Sequence, residues 1–172
     1  IIHPKKSFKK SINLCKEYIS KDPNKFSLLF QKSKLLGGAY IDGIKASKGS
    51  HILIMSSDLE TDPYLVKKMI NESIKNTNKI ICTSRWIVKN SFNDYGIIKT
   101  SLNKIFQIIV KFCFNYNLTD YTYGFRLYPS QCLKYNNWQM RNHSFFLEII
   151  LQPLKKGYET IELSAKWNKR DE

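Results

Sequence analysis

Three carboxylates, Asp58, Glu60 and Asp62, follow the apolar run Ile52-Leu-Ile-Met55 and the small pair Ser56-Ser57. The apolar run reads as a buried strand. A strand that ends in carboxylates presents them at the carboxyl edge of a sheet, where open α/β folds take their ligands. Carboxylates at that edge can hold a hard divalent cation, and the cation can hold a diphosphate. That chemistry suits an enzyme acting on a nucleotide-activated substrate. The same residues also make a plain strand, a solvated turn and a helix start, with Asp62 as cap before Pro63. The run alone leaves both readings open.

Other reactive residue types offer less. Cys15, Cys82, Cys113 and Cys132 include no CxxC pair, so a zinc site is not expected. Three of them lie in apolar surroundings and read as small core residues, and reduced thiols fit a cytosolic compartment. His3, His51 and His143 are far apart and form no metal-binding pair, and His51 reads as structural.

The elements that must position these residues follow from periodicity. Helical patterns cover residues 7–20, 34–47, 63–75, 97–114 and 144–155, the last closed by Gly157. Strands are expected at 26–30, 51–55, 79–83, 125–128 and 159–165, with loops at 90–95 and 115–123. Strands and helices alternate over the first half, which predicts a mostly parallel sheet flanked by helices. With no repeat and no low-complexity linker, residues 1–172 read as one domain. The chain starts at Ile1 without Met and stops abruptly at Glu172, and so reads as a piece of a longer protein cut at both ends.

A composition of 42% hydrophobic and 13% aromatic residues argues against disorder. The formal net charge of +14 favours an anionic partner: nucleic acid, a phosphorylated substrate or an anionic membrane surface. A solvated, lysine-rich surface explains the charge equally well. The longest apolar stretch, residues 105–114, is interrupted by Gln107 and Lys111 and is too short to span a bilayer.

Four blocks, in order, resemble the inverting family 2 glycosyltransferases of the GT-A fold, and among them the dolichyl- or polyprenyl-phosphate mannose or glucose synthases. They are Leu36-Gly-Gly-Ala-Tyr-Ile-Asp-Gly-Ile-Lys-Ala-Ser-Lys-Gly49, then Ile52-Leu-Ile-Met-Ser-Ser-Asp-Leu-Glu60 with Asp62-Pro63, then Asp120-Tyr-Thr-Tyr-Gly-Phe-Arg-Leu-Tyr128. The fourth is Phe146-Leu-Glu-Ile-Ile150 with Gly157-Tyr-Glu-Thr-Ile-Glu162 and Arg170. The resemblance covers nearly the whole chain, and the order and spacing of the blocks are more specific than any one of them. It implies a GT-A, Rossmann-like α/β fold, here lacking the first nucleotide-binding strand, since only Ile1-Ile2-His3-Pro4 precede the first helix.

The resemblance also assigns expected roles. Asp58 stands where the second Asp of the family's metal motif ligates Mg²⁺ or Mn²⁺, and Glu60 is placed to approach the same ion. Ser56 stands where the first Asp belongs, a departure that weakens the metal site, shifts the nucleotide, or marks an inactive relative. Gly37 and Gly38 either relieve a tight turn or also let a donor nucleotide approach. Arg85 is expected on donor or acceptor phosphate, with stacking on Trp86 as the structural alternative. Asp120 is expected near the acceptor, as base for a sugar hydroxyl or as positioning group for a phosphate, which is already an anion. Arg126 would bridge to Asp120 or a nearby carboxylate. Glu148, in an apolar helix face, would pair with Arg126, Arg141 or a backbone amide. Arg170 would meet phosphate, although the Gly-x-Ser-Lys-like segment that follows it in the family is absent.

The function expected is metal-assisted, inverting transfer of a sugar from a nucleotide-diphosphate donor to a polyprenyl-phosphate or glycan acceptor. The basic surface would rest on the cytoplasmic, inner face of a membrane. Two rivals stand beside it: a catalytically impaired glycosyltransferase-like domain, suggested by Ser56, and a basic nucleic-acid-binding domain, suggested by the charge. Against the second, the basic residues form no recognisable nucleic-acid module, so no nucleic-acid partner is expected.

Overall fold

The computed structural model describes residues 8–58, 60–89, 91–92 and 96–167. Its elements are α1 (Lys9–Lys21), α2 (Leu35–Ala46), β1 (His51–Ile54), α3 (Leu65–Lys75), β2 (Ile80–Ser84), α4 (Ile97–Phe114), β3 (Arg126–Pro129), α5 (Ser130–Lys134), α6 (Phe145–Lys155) and β4 (Thr160–Ser164). Cα packing divides them into two compact units, Ile1–Lys48 with Asn137–Phe145 and Gly49–Asn136 with Phe146–Glu172.

In the first unit, α1 has no buried residue, and Ile12, Cys15 and Ile19 form its half-buried face. The segment before α2 is tied down by Asp42, whose carboxylate accepts from Lys32 N and Ser33 N at 2.7 and 2.8 Å and from Ser33 Oγ at 2.7 Å. Burial opposes the charge on Asp42, but the bonds from Ser33 and Lys32 and nearby Lys45 hold its carboxyl below the ordinary value. The strand expected at residues 26–30 does not form: only Phe30 makes a single β-bridge. None of those residues is buried, so no packed face fixes an extended register.

The second unit is built on a four-stranded sheet in the order β1-β3-β2-β4. β2 is buried at every position, Thr83 and Ser84 included, as a strand covered on both faces must be. β4 pairs with it in parallel, whereas β3 runs antiparallel to both β1 and β2. The mostly parallel sheet expected from the alternation is therefore three co-directional strands with one reversed strand wedged among them. Met69 on α3 packs with Ile81, Phe125, Leu127 and Leu163 to close the core on one face. Gly157 has φ +87° and closes α6, its N–H reaching Leu154 O at 3.0 Å while Tyr158 N reaches Pro153 O at 3.2 Å. The short helix α5 has no counterpart among the sequence expectations. His51 holds Ser50 Oγ and Thr77 O at 3.2 and 3.1 Å from its two ring nitrogens, a structural role as expected.

Cys82 and Cys132 are buried and Cys113 is exposed. Burial pushes both buried thiols up to about 12. A thiol reagent applied to the native protein should label Cys113 first and leave Cys82 and Cys132 unmodified until denaturant is added, as peptide mapping would show.

Candidate functional site

The reversed strand decides what meets at the sheet edge. Arg126, the first residue of β3, lies opposite Ile54 of β1 and Cys82 of β2. The segment that leads into β3 therefore arrives at the same edge as the carboxyl ends of β1 and β2. Asp58, Arg85 and Asp120, far apart in sequence, come to that edge from three different connections.

Asp120 is fully buried. Its carboxylate accepts from Arg85 Nε at 2.8 Å and Arg85 Nη2 at 3.0 Å, and from Tyr123 N, Thr122 Oγ1 and Thr122 N at 3.1, 3.2 and 3.3 Å. Burial alone would raise the acid's pKa, but the charge and hydrogen bonds of Arg85, aided by Arg126, hold it below the ordinary carboxylate value. Asp120 is thus an ionised group saturated with donors. Arg85 in turn is 6% exposed and lies over the rings of Phe92 and Tyr123, at 5.2 and 4.6 Å. The Arg85 fork, expected on phosphate, is occupied by Asp120, and its aromatic neighbours are Phe92 and Tyr123.

Three further side chains shape this loop. Gln107, buried on α4, donates to Thr122 Oγ1 at 2.8 Å and accepts from Tyr121 N at 2.8 Å, with Asp120 Oδ1 at 3.4 Å. In the sequence Gln107 is a break in an apolar stretch, and that break is the signal, because a buried amide in an apolar helix needs a hydrogen-bond partner. Glu162 of β4 accepts from Thr119 N at 2.9 Å and from Asp120 N at 3.3 Å. Arg126 is fully buried and donates to Asp120 O at 3.0 Å and Phe146 O at 3.2 Å. It holds Asp120 through the main-chain carbonyl, where a bridge to Asp120 or a nearby carboxylate is expected from the sequence. Burial disfavours its charge, but Tyr128, Cys82 and Asp120 outweigh that and raise its pKa.

Asp58 and Glu60 are half-buried just beyond β1, with Glu60 N donating to Asp58 Oδ1 at 3.2 Å. Asp62 accepts from Tyr64 N at 2.9 Å and shapes the turn before α3. Ser56 is exposed. The Tyr123 hydroxyl is buried, with no hydrogen-bond partner among the described residues. Burial raises its pKa, Arg85 lowers it, and Asp120, Glu60 and Asp58 raise it further. Asp58 and Glu60 therefore lie within electrostatic reach of this phenol. Among the described residues no group of three or more His, Cys, Asp or Glu side chains could hold a metal ion. Two carboxylates, Asp58 and Glu60, nevertheless suit Mg²⁺ or Mn²⁺, which takes much of its shell from phosphate oxygens and water.

The remaining expected residues lie elsewhere. Gly37 and Gly38 belong to the first unit, in the first turn of α2. Gly37 N donates to Arg141 O at 2.6 Å, so that N–H is committed to the chain itself. A Cβ on Gly37 would sit 2.9 Å from the Arg141 carbonyl carbon, and one on Gly38 would sit 2.8 Å from that of Ser33. Gly37→Ala should cost about 1–3 kcal/mol of stability, measured by denaturant titration. Glu148 is half-buried and accepts from Gln152 Nε2 at 2.8 Å. Arg170, His3, Ser7 and Ile1-Ile2-His3-Pro4 lie outside the described residues, as do positions 90 and 93–95 of the expected polar loop.

Comparison with known proteins agrees with this architecture. The family described as Glycosyl transferase family 2 matches residues 7–135. A crystal structure of a mycobacterial protein superposes with a TM-score of 0.57 at 10% identity, over 84% of this chain and 47% of that one. Glucosyl-3-phosphoglycerate synthase from Mycobacterium tuberculosis, solved with Mn²⁺, UDP and glucosyl-3-phosphoglycerate, superposes with a TM-score of 0.54 at 9% identity, over 83% of this chain and 50% of that one. The chain spans about half the length of these two solved structures. At such identities the likeness shows the fold, a mixed α/β, Rossmann-like GT-A arrangement.

Proposed function

The chain belongs to glycosyl transferase family 2, and from that membership we propose that it transfers a sugar from a nucleotide-diphosphate donor to a phosphate carried by a polyprenyl lipid, with a divalent metal and inversion at the anomeric carbon. The observation that carries this reading is the convergence of Asp58, Arg85 and the Asp120 loop on one sheet edge.

Asp58 and Glu60 would hold Mg²⁺ or Mn²⁺, which when bound supplies positive charge to the departing diphosphate. Arg85 is held in place by Asp120, so the pair presents an oriented dipole at that edge that need not reorganise during transfer. Among the described residues the Tyr123 hydroxyl has no hydrogen-bond partner, which leaves its proton to donate to an anionic oxygen. Asp120 then serves as a positioning residue: a carboxylate already saturated with donors and held below its ordinary pKa is a poor proton acceptor. That favours a phosphate acceptor, which needs no deprotonation, over a sugar hydroxyl. Ser56 carries a neutral hydroxyl where a carboxylate would share the metal with Asp58, and roles for Gly37, Gly38 and Arg170 in donor binding rest on the family pattern.

A second reading, an impaired transferase-like domain, is favoured by Ser56 in place of a metal-binding Asp. The two separate when the full-length protein is given nucleotide sugars, Mn²⁺ and a polyprenyl phosphate. Formation of a lipid-linked sugar supports the transferase. No product with any donor, from a protein that is folded by circular dichroism, supports the impaired domain.

A further inference from the structure

Helix α4 is packed with its polar side inward. Its buried residues are Gln107 and Val110, and Asn103 and Phe114 beside them are half-buried. At about 3.6 residues per turn, the other half of the helix surface collects Ile98, Leu102, Ile105, Ile108, Ile109 and Phe112, all exposed. Phe112 is 90% and Ile98 77% exposed. The same turn geometry leaves Ser101 as the polar residue within that half, and α4 carries no acidic residue. Lysines line both borders: Lys99 on one side, Lys104 and Lys111 on the other, with Lys104 Nζ 4.5 Å from the ring of Trp86.

A half-cylinder of large apolar side chains edged by cations is the pattern of a helix lying in a membrane interface. Its apolar face enters the acyl boundary while lysines on either side reach anionic headgroups. We propose that the outward half of α4 docks on the surface of an anionic lipid bilayer. Charge complementarity selects this occupant. A second copy of a chain with net charge +14 would bring lysine borders against lysine borders, and a face covered by further protein has no need of lysines along both edges.

Docking also reaches the candidate site. Gln107, on the inner side of the same helix, holds Thr122 and Tyr121 of the Asp120 loop. A bilayer under α4 would therefore sit next to the loop that positions Arg85. This consequence rests on the transferase reading above; the lipid binding itself does not.

The test is flotation of the full-length protein with vesicles of phosphatidylcholine alone or of equimolar phosphatidylcholine and phosphatidylglycerol, for the natural chain, Ile105→Ser/Phe112→Ser and Lys99→Glu/Lys104→Glu. The natural chain should float with the anionic vesicles and weaken as salt is raised. The apolar variant should bind about tenfold more weakly or worse, since two side chains are withdrawn from the acyl boundary. The charge variant should lose its preference for phosphatidylglycerol. Circular dichroism and nucleotide-sugar turnover in detergent, both unchanged in the apolar variant, exclude misfolding. Flotation that neither variant alters, or a dimer in light scattering that the Phe112 variant dissolves without any vesicle binding by the natural chain, would overturn the proposal. Vesicle binding without any sugar transfer would uphold it and count against the transferase reading alone.

Discussion

Asp120→Ala is expected to cost about 3–5 kcal/mol of folding stability, among the largest losses of any single side chain here. The carboxylate is fully buried, and its removal takes away the group that pairs with the Arg85 guanidinium, itself 6% exposed. It also strands the N–H groups of Thr122 and Tyr123. Asp120→Asn keeps the volume but not the charge, and should recover only part of the loss. The sign with pH follows from the depressed pKa. The stabilisation is fully present above the unfolded carboxyl's value of about 3.9, and it is lost as pH falls through the lower folded value. The natural chain should therefore lose stability steeply in acid below that range, and Asp120→Asn should flatten this limb. Chemical denaturation at a series of pH values reads both effects. An Asp120→Ala midpoint equal to that of the natural chain would show that the Arg85 pair contributes no net stability.

Asp58→Ala should have the largest effect on activity, lowering metal-dependent sugar transfer by about a hundredfold or more, the scale seen when one preorganised charge-stabilising group is removed from an active site. Asp58 is half-buried in the turn beyond β1, where it accepts from Glu60 N, and circular dichroism of the variant checks that the fold is kept. Glu60→Ala should cost less, because Mg²⁺ or Mn²⁺ needs few protein carboxylates. Restoration of the family's Asp by Ser56→Asp should tighten metal binding and lower the Mn²⁺ concentration needed for half-maximal transfer. Full activity in Asp58→Ala would remove this residue from the mechanism. Loss of activity with an unchanged dependence on Mn²⁺ would assign it a role other than holding metal.

Local patterns in the sequence located most elements because burial repeats at the helix or strand period. Residues 97–114 form the helix expected there, and four of the five expected strands appear with their ends moved by about a residue. The fifth, at residues 26–30, has apolar residues but no buried face, and hydrophobic content without packing does not specify a strand. The reversal of β3 depends on which distant strands flank it, so no local period encodes it. That reversal is what carries Asp120 to the edge that holds Arg85 and Asp58.

The site was legible as residue types and less so as partnerships. Asp58, Glu60, Arg85 and Asp120 stand out through charge beside apolar runs, but the pairing of Arg85 with Asp120 spans 35 positions. Gln107 and Glu162 reach the same loop from opposite elements. Such contacts are set by tertiary register. The sequence also marks 97–114 as amphipathic without saying which side faces in. The partner of Gln107 settles that: an amide satisfied inside the protein turns the isoleucines of α4 outward.

The most direct test of the central claim is release of nucleoside diphosphate from a panel of nucleotide sugars by the full-length protein, with polyprenyl phosphate present, in Mn²⁺ and again in excess EDTA. The account predicts turnover of at least one donor in Mn²⁺ and its loss in EDTA. A folded protein that turns over no donor, or that turns one over equally well in EDTA, would contradict it.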